Sequence, residues 1–350
     1  MIMDHTEIEK VLSDSEVVEV QAMHEQNLLD LCRGKQPSRV ITISPLQMGV
    51  PISGDYDPDQ WLAGALRTFV EHRDALADPI NYRPFSFSVN CAGHHFVSAA
   101  LGCQLGVDAS GTPSILPEGR FAWDDGSFHV PAPMECALVR EALEAAAWIF
   151  DATGGRIPVE LPHIPSPLML AVDLFGEDFL TSLGDSDSLD SRHCLEALTR
   201  FGEQLLALFV QRFPKAPLKG YYTGGWNLMP TGFTGLLGCT TQLISPSTYR
   251  ERVADLDERL MGAPWLGGCI HLCGRHTQHC AAWSSMPSLK ALQLNDAACD
   301  DLETYYRSLR EDQFFVVMPS NRMSVEECLR ITRGRRLVLS MLAQEVIHCR

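Results

Sequence analysis

Four short apolar runs recur through the last third of the chain: 267–272 (GGCIHL), 290–294 (KALQL), 314–318 (FFVVM) and 336–341 (RLVLSM). Their starts lie 23, 24 and 22 residues apart. Amphipathic stretches at 276–285, 300–310 and 324–333 separate them. Pro246, Asp300 and Ser324 stand where helix starts place such residues. Strict alternation of strand and helix at this spacing predicts parallel β-α units, an α/β fold. The runs are apolar on both faces, as strands covered on both sides must be.

Upstream the pattern is looser. Residues 1–35 read as a polar helical extension, 38–44 (SRVITIS) as the first strand, and 49–58 as a loop rich in Gly, Pro and Asp. Helical periodicity covers 59–77, 95–101, 135–150 and 189–213, and strand-like runs cover 85–89, 156–161 and 218–222. Pro162, Pro165 and Pro167 punctuate the turn after 156–161. The Gly- and Thr-rich stretch 224–241 reads as a long loop, a length that in compact domains often serves function. The elements suit an open doubly wound sheet and a closed barrel equally. No Gly-rich phosphate loop follows the first strand, which argues against a dinucleotide-binding sheet.

With 350 residues, 45% apolar and 21% charged, the chain has material for one large core, and residues 1–350 read as a single domain. A formal charge of −16 makes nucleic acid and anionic lipid poor partners. The basic trio Arg333, Arg335 and Arg336 reads as a helix end and strand start. The first ten residues lack the apolar stretch of a secretory signal, and no apolar run approaches the ~20 residues that span a bilayer. A cytoplasmic location is therefore expected. The 12 cysteines are scattered rather than framework-spaced, so most should be small buried hydrophobes.

One segment concentrates chemistry: Cys269-Ile270-His271-Leu272-Cys273-Gly274, then His276, His279 and Cys280. Residues two apart on a strand share a face, so His271 and Cys273 project together where the strand ends. Imidazole and thiolate are both zinc ligands, and a catalytic zinc wants three protein ligands and one open position. The same spacing also arises by chance among buried cysteines. His276, His279 and Cys280 read as a solvent-facing first helical turn, with ligation as the alternative. For a third ligand, Cys349 or its neighbour His348 would serve if the chain end folds over the mouth, and Cys299 is a further candidate. Asn295 and Asp296 follow a strand directly, so either orients a ligand imidazole or caps a helix. Tyr222 and Trp226, with Tyr221, are candidates for a substrate pocket wall, although packing accounts for at least one tyrosine. His94 and His95 follow a strand and read as structural, the alternative being a place at the mouth.

At this point the chain resembles a known family. The stretch His271-Leu272-Cys273-Gly274, with the strand 291–294, is similar to the His-x-Cys-Gly segment of methylcobamide:coenzyme M methyltransferases, a branch of the uroporphyrinogen decarboxylase superfamily. The segments 29–40 (LDLCRGKQPSRV, with Ser38 in place of Asp), 99–112 (AALGCQLGVDASGT), 166–179 (SPLMLAVDLFGEDF) and 243–253 (LISPSTYRERV) resemble further motifs of that family in the same order. The resemblance runs from about residue 29 to residue 341. It implies a (β/α)8 TIM barrel, here with the N-terminal helical extension 1–35. True decarboxylases of the superfamily carry an arginine-rich stretch soon after the first strand. The matching region 44–56 (SPLQMGVPISGDY) has no arginine, which argues against gripping a poly-carboxylate.

The resemblance further implies a zinc ion held by His271, Cys273 and a later cysteine. The family places that cysteine around 341–343, where this chain has none, and Cys349 is the nearest substitute. The implied reaction moves a methyl group between a methylcobamide, the corrinoid co-substrate, and a thiol, with His271 and Cys273 as catalytic zinc ligands. The implied partners are a small thiol or methylated small molecule and a corrinoid carrier protein. The loops 44–56 and 224–241 would form the rim that meets the carrier. Two alternatives are a non-catalytic corrinoid- or tetrapyrrole-binding barrel and a uroporphyrinogen decarboxylase-like decarboxylase. A third is a zinc-dependent demethylase that moves methyl from a small substrate to cob(I)alamin.

Overall fold

The computed structural model describes residues 5–44, 58–84, 86–89, 92–107, 113–123, 129–183, 189–214, 218–220 and 229–341. Eight strand positions succeed one another along the chain. They are β1 (Ile41–Ile43), β2 (Asn81–Tyr82 and Phe87–Ser88), β3 (Val159–Glu160 and Ile164–Pro165), β4 (Leu218–Lys219 and Thr234–Leu237), β5 (Gly268–Leu272), β6 (Leu289–Leu294), β7 (Phe314–Val317) and β8 (Leu337–Ser340). One ladder runs from the first half of β2 through β1, β8, β7, β6 and β5 to the second halves of β4 and β3. A second ladder joins the second half of β2 to the first halves of β3 and β4. Since β2 and β3 stand at opposite ends of the long ladder and pair in the short one, the ring closes. Every pairing in it is parallel. The fold is thus a TIM barrel rather than an open sheet.

Helices fill the crossovers, and the sequence signals that start them are used. Ser245 accepts from the Thr248 N–H ahead of Pro246–Arg252, with Pro246 in the first turn. Ser324 accepts from the Glu327 N–H ahead of Val325–Thr332. Asp300 is not a cap; it is the last residue of the short helix Ala297–Asp300. Arg333 ends the helix Val325–Thr332 in the left-handed conformation, and Arg336 is buried, its guanidinium donating to the Gln313 carbonyl at 2.6 Å. The basic trio thus marks a helix end and a strand start, with Arg333 and Arg335 exposed and only Arg336 in the core. The helix expected over 276–285 is a 3-10 turn Thr277–His279 followed by Cys280–Ser284.

Alternation along the strands sorts the two faces of the barrel wall. Ile270, Leu272, Leu292, Leu294, Phe315, Val317, Leu337 and Leu339 pack outward in the larger apolar cluster with the helices. Ile41, Ile43, Cys269, Ala291, Phe314, Val316 and Val338 form a second, smaller cluster with Leu28, Leu31 and Cys32 of the helix Ser15–Cys32. That helix is the second of two, after His5–Leu12, in the stretch expected as the N-terminal extension, and it plugs one end of the lumen. Gln36, just beyond it, accepts from the Arg336 N–H that precedes β8, and Gly34 lies against Asp312 ahead of β7. The plugged end is therefore the amino end of the strands, which leaves the carboxyl end for chemistry.

One expectation was wrong: the stretch 224–241 is not all loop. Its segment Thr234–Leu237 is a fully buried barrel strand. Two of its four residues are the Thr and Gly that made it look like a turn, but it pairs with β5 and β3.

Candidate metal centre

Strand β5 is buried along its whole length and carries His271 to within one residue of its carboxyl end, with Cys273 just beyond. His271 is opposite Gln293 of β6 and Leu237 of β4 in the parallel register. The Gln293 side-chain oxygen accepts from His271 Nδ1, and Gln293 Nε2 donates to Asn295 Oδ1 at 2.5 Å. An amide oxygen can only accept, so Nδ1 carries the ring proton and Nε2 presents a lone pair. This relay fixes the tautomer a metal ligand needs.

On the other side, Gly238 follows β4 and donates its N–H to the His271 carbonyl at 2.9 Å. A Cβ at Gly238 would stand 2.5 Å from Ile270 Cγ2, so any other residue would have to displace that buried methyl. The next residue, Cys239, opens the 3-10 turn Cys239–Leu243. One ligand atom each from Cys239, His271 and Cys273 lies within 4.8 Å of the others. His271 is buried, and both cysteines keep partial access to solvent. Hydrogen bonding from the Cys239 thiol lowers the Cys273 pKa to about 5, against the opposing effect of burial. Cys239 is pushed up in return, chiefly by the same bond. The pair therefore holds one proton at neutral pH, and Cys273 is the thiolate. Two sulfurs and one imidazole at this spacing suit zinc and leave a fourth, open position.

No protein-family model and no curated protein matches the sequence. Among solved structures, a methyltransferase from Methanosarcina mazei superposes with a TM-score of 0.60 at 14% identity, over 91% of this chain and 93% of that one. The chain shares that protein's barrel fold. A B12-independent methionine synthase from Shewanella sp. W3-18-1, in complex with selenomethionine, is also similar at TM-score 0.44 and 9% identity, over 87% of this chain and 90% of that one. The barrel is the architecture that the resemblance in the sequence implied.

Of the residues singled out in the sequence, His271 and Cys273 do come together at the mouth. Asn295 sits behind His271 through Gln293, a partner the sequence reading missed. Asp296 is exposed at the carboxyl end of β6 with φ of 47° and makes no side-chain cap bond to the helix it precedes. Tyr222, Trp226 and Cys349, like Tyr221 and His348, lie outside the described residues. Cys299 is not a ligand: it is buried, and its Sγ approaches the Leu294 and Met318 carbonyls at 2.9 and 3.3 Å. Nor do His276, His279 and Cys280 face solvent, since all three are buried, the two imidazoles against the Cys239 turn. His95 is buried and bonded to Asp173 at 3.2 Å, while Ser98 donates to the same carboxylate oxygen at 2.7 Å. Burial, together with the fields of His94, His271 and His95, holds His163 of the 159–165 strand region well below the usual imidazole range. Four imidazoles thus share one electrostatic neighbourhood, and sequence spacing alone did not gather them.

Proposed function

We propose that the protein is a zinc-dependent methyltransferase of the uroporphyrinogen decarboxylase-like barrels, moving a methyl group between a methylcobamide and a thiol. The observation that carries the reading is the Cys239, His271 and Cys273 cluster at the carboxyl end of a barrel whose other end is plugged. Bound there, zinc supplies the Lewis acidity that keeps a substrate thiol ionised near neutral pH. Gln293 and Asn295 hold the His271 ring in its ligating tautomer. Cys273 offers a ready thiolate, and Cys239 lies beside it. The partly exposed sulfurs leave a side for the substrate thiol, whose sulfur takes the methyl group as the bond to cobalt breaks and the cobalt keeps the electron pair. Alignment of donor and acceptor supplies much of the rate.

In this reading Cys239 takes the place that Cys349 was expected to fill. Substrates are a small thiol and a corrinoid, the corrinoid presented by a carrier protein to the rim of the mouth. No helix among the described residues is long and apolar enough to cross a membrane. None of the ten described cysteines is in a disulfide, which suits the reduced thiols of a cytoplasm.

The test is metal content together with transfer from free methylcobalamin to a panel of small thiols. One zinc per chain, lost in Cys273→Ser and Cys239→Ser, with thioether formed from at least one thiol, is expected. Protein that holds no zinc after purification without chelator, and still binds cobalamin, would replace this reading with a binding barrel.

A further inference from the structure

Strand pairing does not by itself place the two cysteines. The β4–β5 ladder ends at Leu237 and His271, and the last backbone bond across it is Gly238 N–H to the His271 carbonyl. Cys239 and Cys273 both lie past that point, Cys239 in the 3-10 turn and Cys273 on irregular chain. What joins their two turns is a set of side-chain bonds that converge on Thr241. Thr241 Oγ1 donates to the Gly238 carbonyl at 2.8 Å and lies 2.9 Å from His276 Nδ1. His276 Nε2 accepts from the Gly274 N–H at 3.3 Å, so the ring is neutral and its proton is on Nδ1, aimed at Thr241. His279 Nε2 lies 2.8 Å from the Thr241 carbonyl, which can only accept. Every donor and acceptor direction in this set agrees.

Resting on the metal reading above, we infer that His276 and His279 are positioning residues for the metal centre. They tie the Cys239 turn to the Cys273 turn through Thr241 and so set the spacing of the two sulfurs. His276 and His279 are 0% and 1% exposed. Burying two polar rings costs free energy unless their bonds are made. Three of their four ring nitrogens bond to the segments flanking the two cysteines, and His279 Nδ1 is buried without a hydrogen-bond partner. Trp283 packs on both imidazoles, with ring centroids 6.3 and 5.6 Å away, and the Tyr305 hydroxyl accepts from the backbone N–H of His276 at 3.2 Å. The rings are therefore backed by a fully buried aromatic side chain.

The test uses the full chain and two readouts other than turnover: zinc affinity by competition with a chromogenic chelator, and the thiolate-to-metal charge-transfer band of the cobalt(II)-loaded protein. Thr241→Val keeps the shape and removes the shared hydroxyl, and His279→Ala removes the second tie. Each is expected to weaken zinc binding about 10- to 100-fold and to lower the cobalt band toward that of Cys239→Ser. His279→Gln, whose amide nitrogen can reach the same carbonyl, restores affinity to within about threefold. Folded variants with a lower Tm but wild-type zinc affinity and an unchanged cobalt band would overturn the inference. If Thr241→Val does not fold, Thr241→Ser decides: wild-type affinity supports the tie, and lost affinity with the hydroxyl kept overturns it. A wild-type chain that binds no zinc overturns the metal reading itself, which is a different result from zinc bound tightly by every variant.

Discussion

Alkylation of Cys273 in zinc-free protein should be nearly independent of pH between 9 and 6. The pKa of this thiol is lowered from 9.0 to about 5, mainly by the hydrogen bond from Cys239. At pH 6 a thiol of pKa 9 is about 0.1% ionised, whereas Cys273 is about 90% ionised, a ratio near 10³. A thiolate of lower pKa is also a weaker nucleophile, by about 40- to 100-fold over four pKa units. The net expectation is that iodoacetamide modifies Cys273 about tenfold faster than an ordinary exposed cysteine at pH 6. Near pH 8 the order reverses. Chelator-treated protein would be labelled across the pH range and the peptide ending at Arg275 quantified by mass spectrometry. In Cys239→Ala the S–H donor is gone, and the profile should move toward higher pH. A Cys273 rate that falls tenfold per unit from pH 8 to pH 6 in the wild-type chain would refute the shared-proton pair. So would a profile unmoved by Cys239→Ala.

Three further outcomes follow from other parts of the molecule. Gln293→Leu removes the acceptor that sets the His271 tautomer, and zinc affinity by chelator competition should fall about 10- to 100-fold with the fold retained. Leu28 is fully buried in the plug of the amino end, so Leu28→Ala should cost about 2–5 kcal/mol in denaturant unfolding while zinc affinity stays unchanged. Burial raises the Glu160 carboxyl to about 7 from 4.5 in the folded chain. Its contribution to stability is therefore intact below pH 4.5 and lost as pH rises through 7, up to about 3 kcal/mol. Glu160→Gln should lack that decline, giving a higher unfolding midpoint than wild type at pH 8 and little change at pH 5.

The parts of this molecule that were legible in the sequence are those whose information is local. The 22- to 24-residue rhythm of the last four strands needs only pattern, and it is where β5, β6, β7 and β8 lie. The His271 and Cys273 pair needs only the two-residue period of a strand. Cys239 needed more, because its neighbours are contributed by a strand about thirty residues later. Its own context, Gly-Leu-Leu-Gly-Cys-Thr-Thr, scores as a turn. The glycine at 238 that suggests a turn is there because a Cβ would run into the Ile270 side chain of β5. A cysteine directly after such a glycine, at the end of an apolar pair, was the one available signal.

His276 and His279 were misread for a related reason. Spacing of three and four residues after a strand reads as the first turn of an amphipathic helix, and polar residues on such a turn normally face water. Here the segment is a 3-10 turn, and the Cys239 turn of the neighbouring strand covers it. A barrel makes this arrangement available wherever two successive strand-exit turns meet at the mouth, and it has a consequence for the metal centre. Ligands from adjacent strands are linked by a few short bonds, so their spacing can be held by side chains within the same two turns. Ligands from strands across the mouth would depend on the whole ring. With Cys239, His271 and Cys273 all on β4, β5 and their exits, zinc affinity should resist perturbation of the distant β1–β8 seam and respond to Thr241. Val338→Ala, at that seam and fully buried, is the contrasting variant: stability should fall while zinc affinity holds.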